Sequence, residues 1–170
     1  FEIIEAKKIF NLKYNQLEIL IHPHSYLHAI VKFNNGLTKF LTHDTNMTIP
    51  IFNSIYQDDK KKIKSNTLDL KILNNLELDQ VNKKRFPIIR IISQLSEKAS
   101  LYETVIVSAN DILVNKFLKN EIKFSDISKT LLKIININEF KKFKNIEPKN
   151  VEEVVKLADY VSLKIKTMSV

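Results

Sequence analysis

The chain has no cysteine, a single glycine and no long apolar run, and these scarcities exclude several classes of protein. Without cysteine there can be no disulfide bond, no thiolate catalysis and no cysteine-bound zinc, so a metal would have to be held by oxygen or imidazole. A helix that spans a bilayer needs roughly 20 consecutive apolar residues, and no such run occurs. No leader typical of export opens the sequence, so we expect neither a membrane partner nor an export signal.

The charge balance is strongly positive, with 27 lysine and arginine residues against 19 aspartate and glutamate residues. Almost all the basic residues are lysine, and they are spread along the chain. Nucleic-acid binding favours arginine, or aromatic residues interleaved with basic ones, and the lysine run over 60–64 is more typical of a solvated loop. We therefore expect no nucleic-acid partner. With 170 residues, 44% of them hydrophobic, the chain can form one domain or two small ones.

The only glycine, Gly36, marks a β-hairpin. It follows Asn34 and Asn35 between two apolar runs, 27–33 and 37–41. Asn-Gly between such runs favours a two-residue turn in which both central residues have positive φ. Counting outward from Asn35-Gly36 predicts cross-strand pairs of Lys32 with Lys39, Ile30 with Leu41, and His28 with His43. His28 and His43 should then share one face of the hairpin.

Helical periodicity frames this hairpin on both sides. Residues 2–11 place Ile3, Ala6 and Phe10 on one face and give the helix an acidic edge at Glu2 and Glu5. Residues 16–22 alternate as a strand, residues 47–57 are predicted to be helical, and the polar segment that follows, to about residue 82, is predicted to be an extended connector. From residue 86 onward, apolar residues recur at helical spacing in four segments, which predicts a four-helix bundle. The last segment opens with Asn150 and Glu153, spaced as a capping box.

Three histidines stand close together in the sequence at His22, His24 and His28. Their spacing imitates a zinc site, but Pro23 disrupts the strand and no fourth ligand is spaced nearby. We therefore expect the histidines to support structure rather than to bind zinc.

Several motifs recur in the order and spacing of one enzyme family, and together they cover essentially the whole chain. They comprise 2–10, 22–28, 33–36, 47–51, 68–70, 85–87, 108–111 and 117–118. In these motifs the chain resembles the C-terminal part of 1-deoxy-D-xylulose 5-phosphate reductoisomerase. The resemblance implies an α+β fold: part of a catalytic α/β domain with an antiparallel hairpin over 1–57, an extended linker over 58–82 and a helical bundle domain over 83–170.

The same resemblance implies a function for the parent enzyme. It would isomerise 1-deoxy-D-xylulose 5-phosphate and reduce the intermediate with NADPH to 2-C-methyl-D-erythritol 4-phosphate, an isoprenoid precursor. The expected cofactors are Mg or Mn and NADPH, the substrate is a phosphosugar, and a homodimer is expected. Because Phe1 falls at the start of a helix, the chain is expected to begin within the protein. A fragment of this kind would bind no cofactor and would be inactive alone. The parent enzyme is expected in the cytoplasm, and a targeting segment for a plastid before Phe1 stays open as an alternative.

The resemblance also assigns roles to individual residues. Glu2 falls on the family's metal-binding glutamate and would contact the substrate through the metal. His28 matches a histidine near the catalytic pocket and is expected to pack or position rather than to transfer a proton. Met47 would line the substrate cleft, with packing in the core as the alternative. Glu5 and Ser25 would support the residues that contact metal and substrate, and a place on the helix surface or in a salt bridge stays open for Glu5.

The sequence departs from the family pattern at Thr45-Asn46, at Gln57-Asp58-Asp59 and at Val107 to Asp111. A divergent paralogue of the reductoisomerase therefore stays open as an interpretation. So does a non-catalytic module for dimerisation or interaction, in which the hairpin edge pairs with another chain.

Overall fold

The computed structural model describes residues 1–56, 60–67 and 69–168. The described chain forms two compact units. We call Phe1–Glu18 with Asn82–Val170 the helical unit, and Ile19–Val81 the hairpin unit. None of the helices in the described ranges combines the length and the apolar character needed to cross a membrane.

The helical unit contains five α-helices and three short 3₁₀ helices in its described residues. The α-helices are α1 (Glu2–Phe10), α4 (Leu101–Leu118), α5 (Phe124–Ile134), α6 (Asn138–Lys141) and α7 (Val151–Thr167), and the 3₁₀ helices are Tyr14–Gln16, Pro87–Gln94 and Lys142–Asn145. Helix α4 packs against both α5 and α7, and the 3₁₀ helix Pro87–Gln94 packs against α5. The predicted first bundle helix is therefore a 3₁₀ helix, which starts at Pro87.

The core of the helical unit surrounds α4. Leu101, Val105, Ala109 and Leu113 recur every four residues along that helix and are at most 2% exposed. They pack with the buried side chains Leu131, Ile134, Ile135, Phe140, Leu157, Val161 and Ile165. Burial of these apolar stripes against one another is the main stabilisation of this unit.

Helix α7 begins with a side-chain cap, as the sequence predicts. The Asn150 side chain accepts a hydrogen bond from the Glu153 backbone N–H at 2.9 Å. The second half of the predicted capping box is displaced by one residue, because the Glu153 carboxylate accepts from the N–H of Lys149 at 2.8 Å. The cap therefore satisfies two backbone donors, one of them just outside the helix.

The hairpin unit contains β1 (Leu20–Ile21), β2 (Leu27–Lys32), β3 (Thr38–Thr42), α2 (Thr48–Ile55), α3 (Leu70–Asn74) and β4 (Asp79–Gln80). Strands β2 and β3 form one antiparallel pair, and β1 and β4 form another. The segment predicted to be an extended connector thus contains a short helix and a strand. Asp69 starts α3 by accepting hydrogen bonds from the N–H groups of Lys71 and Ile72.

The hairpin forms where predicted, but the predicted pairing is wrong by one residue. Lys32 pairs with Thr38 and Ile30 with Phe40, and an irregularity follows between Ala29 and Leu27. The turn holds three residues, since the Phe33 N–H donates to the Leu37 carbonyl and the Gly36 N–H donates to the Phe33 carbonyl. Only Gly36 of these residues has positive φ, at 86°, whereas the two-residue turn would need a second.

The boundaries 1–57, 58–82 and 83–170 stay a prediction about domains, and positions 57 and 58 lie outside the described residues. The compact units are divided differently, because residues 1–18 belong with the helical unit. Polar contacts from Lys7, Lys8 and Tyr14 to Glu97 and Glu103 account for this grouping.

Candidate functional site

The two acids of α1 are the candidate metal ligands. Glu2 and Glu5 lie in the first turn of α1 and both are exposed. Carboxylates are the oxygen ligands that Mg and Mn prefer, but one turn of helix supplies too few of them. Within residues 1–56, 60–67 and 69–168, no three His, Asp or Glu side chains are grouped so that they could hold a metal ion. These residues therefore do not form a metal site by themselves, and the metal role of Glu2 stays a prediction.

His28 and His43 lie together in the hairpin unit, as predicted from the turn. Their rings stack with centroids 3.6 Å apart and planes 8° from parallel. The Nε2 atom of His28 lies 3.1 Å from the His43 carbonyl oxygen, and the Nδ1 atom of His43 lies 2.6 Å from the Asp44 carbonyl oxygen. Since a carbonyl only accepts, these ring nitrogens carry the protons. The irregularity in β2 beside Leu27 brings the rings together despite the shifted register.

The remaining histidines have separate environments. The Nδ1 atom of His22 lies 3.0 Å from the Glu77 carbonyl oxygen and therefore donates to it. The His24 ring meets the His22 ring edge-on, with centroids 6.0 Å apart. His28 stacks on His43 instead. Among the described residues these three histidines are not grouped around one point.

Ser25 and Met47, the other predicted site residues, hold defined backbone positions in the hairpin unit. Ser25 has a φ of 51° and closes a turn in which its N–H donates to the His22 carbonyl at 3.1 Å. Met47 occupies the position just before α2, and 67% of its surface is exposed. Exposure of this large apolar side chain leaves Met47 available to line a cleft, and its contact with substrate stays a prediction.

A polar cluster that the sequence reasoning missed joins α1 to the start of α4. We define the α1 clamp as Lys7, Lys8, Tyr14, Glu97 and Glu103. The Lys7 ammonium donates to the Glu97 carbonyl at 2.6 Å, and the Tyr14 hydroxyl donates to the Glu103 carboxylate at 3.1 Å. The Lys8 ammonium lies 2.5 Å from the other carboxylate oxygen of Glu103. Glu103 is only 3% exposed, so these partners compensate for its lost hydration.

The clamp also changes the acidity of its tyrosine. Burial raises the pKa of Tyr14 well above its usual range, and the negative charge of Glu103 and its hydrogen bond to the phenol raise that pKa further. The phenol therefore stays a hydrogen-bond donor to Glu103 under ordinary conditions.

A weak sequence signal for the clamp exists in hindsight. Lys7 stands four residues after Ile3, on the apolar stripe of α1, and it is the only buried residue of that helix. Glu103 likewise stands among the buried residues Leu101, Tyr102 and Val105 of α4. A charged residue at a core position of a helix indicates a buried partner, but the partner of each lies about 90 residues away in the sequence.

Comparison with known proteins gives one consistent result. Residues 43–162 match the family model of the DXP reductoisomerase C-terminal domain. The 1-deoxy-D-xylulose 5-phosphate reductoisomerase of Pelagibacter ubique (strain HTCC1062) is 66% identical over 170 residues, which are 100% of this chain and 44% of that protein. That of Sulfurihydrogenibium sp. (strain YO3AOP1) is 30% identical over 86% of this chain and 39% of its own length. The chain thus spans less than half of these relatives.

Solved structures agree in fold. A DOX-P reductoisomerase in complex with NADPH, fosmidomycin and magnesium superposes with a TM-score of 0.82 at 22% identity, over 97% of this chain and 41% of that one. The 1-deoxy-D-xylulose 5-phosphate reductoisomerase from Zymomonas mobilis in complex with NADPH gives 0.80 at 24% identity, over 97% and 42%. With the family match and the curated relatives, this fold establishes that the chain belongs to the 1-deoxy-D-xylulose 5-phosphate reductoisomerase family.

Proposed function

We propose that this chain functions as part of a reductoisomerase that depends on NADPH and a divalent metal. The enzyme would convert 1-deoxy-D-xylulose 5-phosphate to 2-C-methyl-D-erythritol 4-phosphate for isoprenoid precursor synthesis. The observation that carries this proposal is the 66% identity, over all 170 residues, with a curated reductoisomerase. Because the chain covers 44% of that relative, we assign the reaction to an enzyme of family length and expect the 170 residues alone to be inactive.

Glu2 is proposed to supply one carboxylate to a Mg or Mn ion whose other ligands lie outside this chain. Its exposure on the first turn of α1 supports this role, because a ligand must be able to reach the ion. Glu5, in the same first turn of the helix, would hold Glu2 or a bound water in place. When bound, the ion would polarise substrate oxygens, which is the chemistry that such metals supply.

His28 is proposed to position its neighbours rather than to transfer protons. Its Nε2 proton is directed at the His43 carbonyl, and its ring face is covered by the ring of His43. Both contacts restrict the ring, which suits a residue that shapes the wall of a pocket. Ser25 would fix the turn before β2, and Met47 would offer its apolar side chain to the substrate.

The main test is a matched pair of substitutions in an enzyme of family length that contains this chain. Glu2→Gln and Glu5→Gln each remove one charge from the same helical turn, and NADPH consumption with substrate measures the result. Loss of an outer-sphere partner costs about 10–100-fold, so Glu5→Gln should fall within that range. Glu2→Gln should lose more and should not be rescued by excess Mg. Equal and small losses in both variants would contradict the metal role of Glu2.

A second measurement tests the division of labour between this chain and the rest of the enzyme. Titration calorimetry of the 170-residue chain with NADPH should give no binding heat, since the NADPH site is assigned to other residues. A clear micromolar affinity would contradict that assignment.

We also propose, as a second function, that the hairpin unit mediates self-association into a homodimer. Val31 and Leu41 lie on one face of the β2–β3 pair, and Ile30 and Phe40 lie on the other, and all four are at least 37% exposed. A two-stranded sheet with exposed apolar residues on both faces and open edges is a typical surface for pairing. The same surface would serve the alternative interpretation of a non-catalytic interaction module.

Sedimentation of the chain at increasing concentration tests this association. Phe40→Lys should shift a dimer towards monomer, whereas Phe124→Lys is a matched control, since Phe124 is 74% exposed on α5 of the helical unit. A strictly monomeric wild-type chain would contradict the proposal.

We also propose that the enzyme is cytoplasmic and has no nucleic-acid partner. Heparin chromatography at several salt concentrations tests for nucleic-acid binding, because such binding weakens as salt increases.

A further inference from the structure

We propose that Glu103 is a positioning residue, which fixes the orientation of α1 through the α1 clamp and thereby orients Glu2. The value of this orientation for activity rests on the proposed function, whereas the clamp itself does not. None of the five clamp residues is among the predicted site residues Glu2, Glu5, Ser25, His28 and Met47.

Apolar packing accounts for only part of the attachment of α1. Lys7 is the only buried residue of this helix, and Ile9 and Phe10 are 73% and 69% exposed. Ile3, Ile4 and Ala6 are only partly buried, so no nonpolar side chain of this helix is fully buried. Attachment of α1 must therefore depend heavily on its polar contacts.

These polar contacts attach both ends of one short segment, residues 7–14, to residues 97–103, which lead into the first turn of α4. Lys7 and Lys8 come from α1, Tyr14 follows in the next 3₁₀ helix, and both acids lie within residues 97–103. The Tyr14 backbone N–H also donates to the Glu97 carboxylate at 3.1 Å. The Lys7 ammonium lies 5.0 Å from the centroid of the Tyr14 ring, which joins the two halves of the segment.

Apolar contact is nondirectional, whereas hydrogen bonds weaken steeply as they depart from linearity. Two ammonium groups of α1, those of Lys7 and Lys8, and the phenol of Tyr14 just after the helix are held by the Glu97 carbonyl and the Glu103 carboxylate, so α1 has a defined rotation about its own axis. Rotation of α1 determines where its first turn presents the Glu2 carboxylate. Glu103 is central, because its carboxylate accepts the hydrogen bond of the Tyr14 hydroxyl and also forms the ion pair with the Lys8 ammonium.

Hydrogen exchange in an enzyme of family length tests the clamp directly. Glu103→Gln keeps the shape of the side chain but removes its charge, and Tyr14→Phe removes only the hydroxyl that donates to it. Each variant should speed exchange of the α1 amides by about tenfold or more, the factor expected for a lost hydrogen bond to a charged group. Amides of α7 should be unchanged. The matched control is Glu152→Gln, which breaks the exposed Lys156–Glu152 ion pair of α7.

Kinetics then separate positioning from simple stability. In both variants kcat should fall by about tenfold or more, because small misplacements of catalytic groups have large effects, while KM for NADPH stays unchanged. Glu103→Gln combined with Tyr14→Phe should cost less than the product of the two single losses, since both break one contact. Unchanged α1 exchange in Tyr14→Phe, with α7 protected, would overturn the clamp. Faster α1 exchange without any change in kcat would overturn the positioning role of Glu103. If the wild-type enzyme showed no reductoisomerase activity, the proposed function would be overturned instead. The exchange experiment would then still test whether the clamp holds α1.

Discussion

The helical unit and the hairpin unit differ most in where their apolar side chains lie. In the helical unit, the stripes of α4, α5 and α7 face one another and form a continuous core. In the described part of the hairpin unit, Tyr26 and Leu27 are the only buried hydrophobic residues, while Phe40 and Leu41 are more than half exposed. The helical unit therefore has the means to be stable by itself, and the hairpin unit has apolar surface that another surface can cover.

A matched pair of leucine truncations should show the largest difference between the units. Leu113 of α4 is 0% exposed and Leu41 of β3 is 57% exposed. Leu113→Ala should lower the free energy of unfolding by about 2–5 kcal/mol, because it leaves a cavity in the core. Leu41→Ala should change it by less than about 0.5 kcal/mol, as surface substitutions usually do. Urea unfolding followed by circular dichroism at the helical signal measures both, and similar losses would contradict the contrast in burial.

The periodic part of the fold is the part that the sequence predicts well. Helices α4, α5 and α7 have apolar stripes long enough to be recognised, and their burial confirms them. Helix α3 spans five residues and β4 two, which is too short for either period to appear. The hairpin follows from Gly36, but its register depends on the φ of Asn34 and Asn35, which residue type alone does not determine.

The candidate site is predicted unevenly for a related reason. The structure places the rings of His28 and His43 in contact, as predicted, but through the irregularity in β2 rather than through the register counted from the turn. The clamp depends on contacts between residues about 90 positions apart, which no local pattern specifies. The metal role of Glu2 depends on additional ligands, and the described residues do not group any around it.

A buried tyrosine should give the helical unit a specific alkaline sensitivity. The Tyr102 hydroxyl donates to the Ile135 carbonyl at 2.8 Å, and burial raises the pKa of Tyr102 from its ordinary value of 10.0 to about 12. Between these values the unfolded chain has lost the phenol proton while the folded chain retains it, so the unfolded state binds fewer protons. This contribution to stability is complete below about pH 10 and is lost as the pH rises towards about 12.

Tyr102→Phe should therefore make the free energy of unfolding fall less steeply as the pH rises above about 10. At neutral pH the same substitution should lower that free energy by about 1–2 kcal/mol, because it leaves the Ile135 carbonyl unpaired. Tyr160→Phe is the matched control, because Tyr160 is 42% exposed on α7 and bonds the Glu139 carboxylate. Urea unfolding at a series of pH values measures both slopes. An unchanged alkaline slope in Tyr102→Phe would contradict the assignment to Tyr102.

The smallest expected effects come from the helix caps, one in each unit, and they probe whether the units unfold separately. Asn150 caps the 17-residue helix α7, and Asp69 caps the five-residue helix α3. Removal of a cap by alanine typically costs about 1 kcal/mol. For Asn150→Ala this cost should appear in full in the unfolding of the helical unit, because α7 packs directly on α4. For Asp69→Ala it should appear only as faster hydrogen exchange around α3, since no residue of that helix is buried. If Asp69→Ala lowered the free energy of unfolding of the helical unit by the full cost of a cap, the two units would unfold together. That result would contradict the contrast between a helical unit that is stable through its own core and a hairpin unit whose apolar surface is left for another surface to cover.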